Sequence, residues 1–83
     1  PQLTEERRQE MARLVGKKAE EGKVAIRNIR REANEHLRKL EKSGELSEDE
    51  SHRALEEVQK LTDDFVEKAE ALRKAKEAEL LEI

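Results

Sequence analysis

Apolar residues return every three or four positions through the first half of the chain: Met11, Val15, Ala19, Gly22, Ile26, Ile29, Ala33, Leu37 and Leu40 form one unbroken stripe. On a helix that spacing keeps them on one face, so the pattern predicts a single long helix with one buried side. Thr4 is placed to cap it, because its hydroxyl can accept from a backbone N–H that has no partner inside the helix. Glu5 and Glu6 follow in the first turn, where negative charge suits the helix dipole. Pro1, Gln2 and Leu3 read as an extended lead-in, and no proline interrupts the run that follows. A second stripe comprises Ala54 or Leu55, Val58, Leu61, Phe65, Ala69, Leu72 and Ala75 or Lys76. It weakens towards Leu80 and Leu81 and predicts a second helix.

One convincing break separates the two, at Lys42-Ser43-Gly44-Glu45-Leu46. Gly44 can take the left-handed conformation that ends a helix, after Lys39 and Lys42 have favoured its negative pole. Ser47 and Glu50 have the spacing of a capping box, in which hydroxyl and carboxylate each satisfy the other residue's amide. The expected elements are a helix over about 4–42, a turn at 43–46 and a helix over about 47–81, in one domain of residues 1–83. So short a connection makes the helices antiparallel neighbours. Each would reach roughly 55–60 Å, too long for a two-helix globule. A bundle helix normally touches two neighbours, so a lone hairpin leaves apolar surface wet. The expected fold class is therefore all-α, a long antiparallel hairpin completed by self-association or by a helix from another chain. Gly22 lies on the stripe, where close approach of another helix accounts for it; Gly16 has no specific account.

Composition supports helices rather than disorder. Of 83 residues, 47% are charged and 34% hydrophobic, with one Phe and no Trp or Tyr, and strong helix formers dominate. The absence of cysteine excludes a disulfide framework and any thiolate metal or redox site. No apolar run approaches the roughly 20 residues of a membrane span. The polar start does not resemble a secretory signal, so a soluble cytoplasmic chain without a membrane partner is expected. The net charge of −3 conceals an asymmetry: residues 1–42 carry 12 basic and 8 acidic side chains (+4), and residues 43–83 carry 6 and 13 (−7). The first half is thus the candidate polyanion binder.

Catalytic and metal chemistry find little support in the pattern. His36, His52, Ser43, Ser47 and Ser51 do not converge with one another or with a carboxylate pair, as a nucleophile or acid/base site requires. Glu32 and His36 have an i,i+4 spacing but no third metal ligand, and Glu48-Asp49-Glu50 lacks the alternation and glycine of a calcium loop. A non-enzyme with no cofactor and no metal is expected. The Ala/Glu/Lys-rich tail from Glu67 to Glu82 reads as a solvated helix laced with i,i+4 pairs such as Glu70–Lys74.

Lys23 to Asn34, KVAIRNIRREAN, stands apart, because Lys23, Arg27, Arg30 and Arg31 come before its first acid, Glu32. At about 100° per residue, Arg27, Arg30, Arg31 and Asn34 fall on one broad face, while Ile26, Ile29 and Ala33 point the other way. Arg13, Lys23 and Arg38 extend that flank, with Glu20 the main acid among them. Arginine forks suit phosphate oxygens, and so few aromatics leave no stacking platform for single strands. No helix-turn-helix or basic zipper is present, so the backbone of structured RNA is the favoured ligand. The pattern alone leaves two readings open, an RNA-facing surface or an ordinary solvated one.

Four segments carry a resemblance: PQLTEERR (Pro1–Arg8), EEGKVAIRNIRREAN (Glu20–Asn34), SGELSEDE (Ser43–Glu50) and VQKLTDDFV (Val58–Val66). Together they resemble the carboxy-terminal part of a bacterial-type ribosome recycling factor, and the VAIRNIRR block is highly specific. The resemblance implies an elongated three-helix bundle with a small α/β domain inserted between its first and second helices. This chain would supply the second and third helices and lack the first helix and the insert. It also implies disassembly of the post-termination ribosome together with the translocation GTPase, with the bundle on large-subunit RNA. Arg27 and Arg30 match the family's key arginines, and Arg31 lies beside them. The other functional class is a helical protein-interaction or self-assembly module, natural or designed, whose arginines merely solvate.

Overall fold

Thr4 opens the first helix as a side-chain cap: its backbone is extended and its hydroxyl accepts from the Arg7 amide at 3.1 Å. The computed structural model describes residues 4–81, and the lead-in expected at 1–3 lies outside the described residues. Helix α1 runs Glu5–Lys42 and helix α2 runs Glu48–Leu81. The turn between them follows from two local devices. Gly44 has φ +84°, which reverses the chain and lets the amides of Ser43, Gly44 and Leu46 bond back to the carbonyls of Lys39, Glu41 and Leu40. At the start of α2 the Ser47 hydroxyl accepts from the Glu50 amide at 3.1 Å, and the Glu50 carboxylate accepts from the Ser47 amide at 2.9 Å. These bonds hold the Glu50 carboxyl below its ordinary pKa, the Ser47 amide contributing most.

The helices pack along their full length into a rod of 62 × 15 × 13 Å, an all-α antiparallel hairpin with no strand among the described residues. Its seam is thin. Among the described residues only Arg8, Ala12, Ser51 and Thr62 are fully buried, and Ala12 is the only apolar one of them. Small and polar residues occupy the closest approach. The Thr62 hydroxyl satisfies itself locally by donating to the Val58 carbonyl at 2.7 Å, whereas Ser51 Oγ and Asn34 Oδ1 are buried without a partner among the described residues.

The apolar stripes do not all face the seam. On α1, Met11, Val15, Ala19, Ile26, Ala33, Leu37 and Leu40 are half-buried, but Ile29 is exposed. On α2 the expected phase is corrected: Leu55, Val58 and Ala69 meet α1 together with Thr62, Val66 and Arg73, while Leu61, Phe65 and Leu72 are exposed on the flank. The reason is geometric. The apolar sector of each helix is wider than one neighbour covers, so α1 takes one edge of it and the other edge lines an open groove. That groove contains two apolar clefts. The one nearer the turn, about 410 Å³, is lined by Ile26, Ile29, Arg30 and Ala33 of α1 and by Val58, Leu61, Thr62 and Phe65 of α2. The other, about 500 Å³, lies between Leu14, Val15, Ala19 and Gly22 of α1 and Ala69 and Leu72 of α2. A Cβ at Gly22 meets nothing within 4 Å, so α2 is not the close neighbour that its glycine suggests.

Candidate nucleic-acid interface

Helix α1 carries the candidate surface, and its caps leave an uninterrupted cylinder on which side chains stand about 1.5 Å apart along the axis and about 100° apart around it. On those rules Arg13, Arg27, Arg31 and Arg38 fall within a sector of roughly 40°, and Arg13 and Arg38 are separated by about 37 Å along the axis. This row lies on the side of α1 away from the apolar groove. Arg13, Arg31 and Arg38 are exposed and Arg27 is half-buried. None of the four has a carboxylate within ion-pair distance among the described residues, whereas Lys18, Lys23 and Arg73 near the middle of the hairpin each have one. Arg31 is steadied by its own helix, donating to Asn28 Oδ1 at 2.5 Å.

Arg30 sits about 60° from Arg27 toward the seam, half-buried at the border of the turn-proximal cleft, and it too has no carboxylate partner among the described residues. Lys23 and Asn34, which the pattern places with the arginines, belong to the seam instead. Lys23 is mostly buried and its ammonium donates to Glu70 Oε2 at 2.5 Å, with Glu20 3.7 Å away. Asn34 has a buried side-chain oxygen. Two consequences follow for the arginine row. Lys23 is neutralised in place, and Glu20, the main acid on the flank, is drawn toward it.

Behind Lys23 stands an ion cluster that sequence reasoning missed. Glu70 accepts from Lys23 across the seam and from Arg73 one turn on, and Arg73 also bonds Glu77 at 2.7 Å. Arg73 and Lys23 together hold the Glu70 carboxyl down to about 2, the Arg73 hydrogen bonds contributing most; the same bonds raise Arg73 further above its ordinary value. Glu70 therefore does not make the expected pair with Lys74. The only sequence signal was the i,i+3 and i,i+4 spacing of Glu70, Arg73 and Glu77; the partner on α1 lies 47 residues away.

Neither histidine joins a cluster. His52 Nε2 lies 2.9 Å from Glu56 on the exposed face of α2, and among the described residues no three His, Cys, Asp or Glu side chains gather as metal ligands would. No helix of the described residues is long and apolar enough to cross a membrane.

A two-helix hairpin with an unpaired arginine row fits many proteins. Sequence comparison decides among them: the family model described as ribosome recycling factor matches residues 1–81. The chain belongs to the ribosome recycling factor family. It is 59% identical over 83 residues to the ribosome-recycling factor of Listeria monocytogenes serotype 4a, 58% to that of Geobacillus kaustophilus and 54% to that of Bacillus subtilis. In each case the whole of this chain is aligned with 45% of the relative, so it spans about half the length of the curated ribosome-recycling factors it matches. The arginine row and the open groove are thus features of a partial ribosome-recycling-factor sequence.

Proposed function

We propose that this chain is an RNA-gripping helical part of a ribosome recycling factor, and that its arginine row contacts the backbone of large-subunit ribosomal RNA. The observation that carries the reading is the set of guanidinium groups on one helix flank with no carboxylate partner among the described residues, in a chain whose net charge is −3. Most other lysines and arginines of the hairpin also lack an ion-pair partner among the described residues, so what sets the row apart is its placement, Arg13, Arg27, Arg31 and Arg38 within a sector of roughly 40° on one helix. Unpaired arginines can exchange counterions for phosphates without first breaking a protein ion pair.

In this proposal Arg27 and Arg30 are the central phosphate contacts, with Arg31, Arg13 and Arg38 flanking them. Lys23 contributes by holding the two helices in register. The chain acts by binding, without catalysis or a cofactor. Family membership supports a place in disassembly of the post-termination ribosome alongside the translocation GTPase, and the sequence missing relative to the curated relatives is where the remaining parts of that activity belong.

The test is co-sedimentation with isolated large ribosomal subunits. Arg27→Ala/Arg30→Ala is expected to lower affinity at least tenfold while the far-ultraviolet helical signal is retained. Equal binding by the double variant sinks the RNA reading. It leaves the second one, a helical interaction module, which the exposed apolar groove favours.

A further inference from the structure

The arginine row is not purely basic. Between Arg13 and Arg38 three residues fall in the same sector of roughly 40°: Arg27, Arg31 and Glu20. Glu20 stands midway between Arg13 and Arg27, about 10 Å along the axis from each. Any ligand that the whole row grips therefore faces a carboxylate at the centre of the row's longest gap. We propose that Glu20 selects the form of RNA: the row crosses the wide minor groove of a duplex, its arginines on the phosphates of the two strands and the Glu20 carboxylate accepting from ribose 2′-hydroxyls between them. This inference rests on the proposed RNA contact and names the residue that sets its specificity.

Charge decides how the ligand lies. Along a nucleic-acid strand phosphates follow one another far more closely than the roughly 21 Å between Arg13 and Arg27, so a strand running along the row brings one of them against Glu20. Like charges facing each other there weaken binding. A ligand that crosses the row avoids this, because its phosphates lie at the two ends and its sugar edges lie between. The shallow minor groove of A-form RNA has that layout and lines it with 2′-hydroxyl donors. The minor groove of B-DNA, about 6 Å wide, is too narrow to span the gap, and its sugars have no hydroxyl to donate.

The surroundings of Glu20 agree. Lys23 lies 3.7 Å from it, but the Lys23 ammonium is held by Glu70 at 2.5 Å, and no hydrogen bond engages the Glu20 carboxylate among the described residues. Its acceptor capacity is therefore unspent. The next 40° of the helix surface away from the seam holds Lys17, Val24 and Glu35. Val24, one turn beyond Glu20, brings methyl groups to the middle of the gap, which suit sugar faces and not phosphates. Lys17 and Glu35 stand at the outer margin with opposite signs, so Glu20 remains the one acid in line with the arginines.

Glu20→Ala tests the proposal without threatening the helix, because alanine is the strongest helix former. The probes are three duplexes of one sequence and about 20 base pairs: RNA, DNA, and RNA with 2′-fluoro in place of the hydroxyl, which keeps the A-form but donates nothing. Fluorescence anisotropy at about 50 mM salt is expected to show the wild-type chain binding RNA roughly tenfold more tightly than either other duplex. Glu20→Ala, at unchanged helicity, should lose roughly tenfold on RNA and bind the other two slightly more tightly, so that the preference disappears. Four results overturn the proposal: tighter binding of all three duplexes by Glu20→Ala, as a plain phosphate track requires; equal weakening on all three, as a structural role requires; wild-type affinity indifferent to the 2′-fluoro exchange; or no binding of the RNA duplex. Arg27→Ala/Arg30→Ala on the same RNA separates this failure from that of the arginine reading. Full affinity in that variant sinks the arginines themselves, whereas a loss there beside an unchanged RNA preference in Glu20→Ala sinks only the role of Glu20.

Discussion

The three glycines offer a calibrated test of the hairpin, because the same substitution is expected to destabilise at Gly44 and to stabilise at Gly22 and Gly16. At Gly44, φ is +84° and an added Cβ meets nothing within 4 Å, so Gly44→Ala suffers only the left-handed backbone penalty, about 1–2 kcal/mol. At Gly22 the backbone is helical and the surrounding space is equally empty, so Gly22→Ala gains the helix propensity of alanine, about 0.8–1 kcal/mol. At Gly16 the added Cβ lies 3.5 Å from Glu77 Oε1, an ordinary contact with the end of a flexible side chain, and the gain is about 0.5–1 kcal/mol. For a chain of this size each kcal/mol moves Tm by about 4–8 °C. Gly44→Ala should therefore melt roughly 5–15 °C lower and Gly22→Ala roughly 4–8 °C higher. Thermal circular dichroism at a few micromolar, repeated over a tenfold dilution, separates hairpin stability from association. A neutral Gly44→Ala contradicts the left-handed turn, and a destabilising Gly22→Ala contradicts the open space around that residue.

Two further perturbations probe local and cross-seam bonds. Ser47→Ala removes the hydroxyl that receives the Glu50 amide and should destabilise the hairpin by about 1 kcal/mol in urea titration, a loss that Ser47→Asp largely avoids. Glu70 has a folded pKa of about 2, below its ordinary value, so its contribution to stability is present above about pH 4.5 and disappears as pH falls through the folded value. Glu70→Gln should be less stable than wild type at neutral pH, and the two should converge between about pH 4.5 and 2; a constant difference across that window contradicts the Lys23–Glu70–Arg73 cluster.

What was legible in the sequence was whatever depends on neighbours along the chain. Thr4, Gly44 and the Ser47–Glu50 pair act within three or four residues, and each makes the contact its spacing implies. The stripe of α1 identified its packed side with Ile29 misassigned, and that of α2 was out of phase. Periodicity measures how wide an apolar sector is but not which edge of it a single neighbour takes. The seam of α2 was further disguised by Ser51, Thr62 and Arg73, polar residues that sit at the contact because one is small, one bonds its own helix and one joins an ion cluster. The arginines of the candidate interface were visible as a gap in the alternation of charge. The fate of Lys23 was not, since its acceptor is 47 residues away and appears only once the hairpin fixes the register. Asn34 was lost to the flank for a related reason: its position near the seam decides its burial, and its residue type does not.

The central claim, that the arginine row grips phosphates, has its most direct test in the salt dependence of binding to isolated large subunits. Each phosphate contact contributes about 0.7–0.9 to the slope of log affinity against log salt, so five arginines give a slope near about −4, and Arg27→Ala/Arg30→Ala should reduce it to about −2.5. Between 50 and 200 mM salt wild type then loses roughly 250-fold in affinity and the double variant roughly 30-fold. Superimposable slopes, or an affinity that salt does not change, would contradict it.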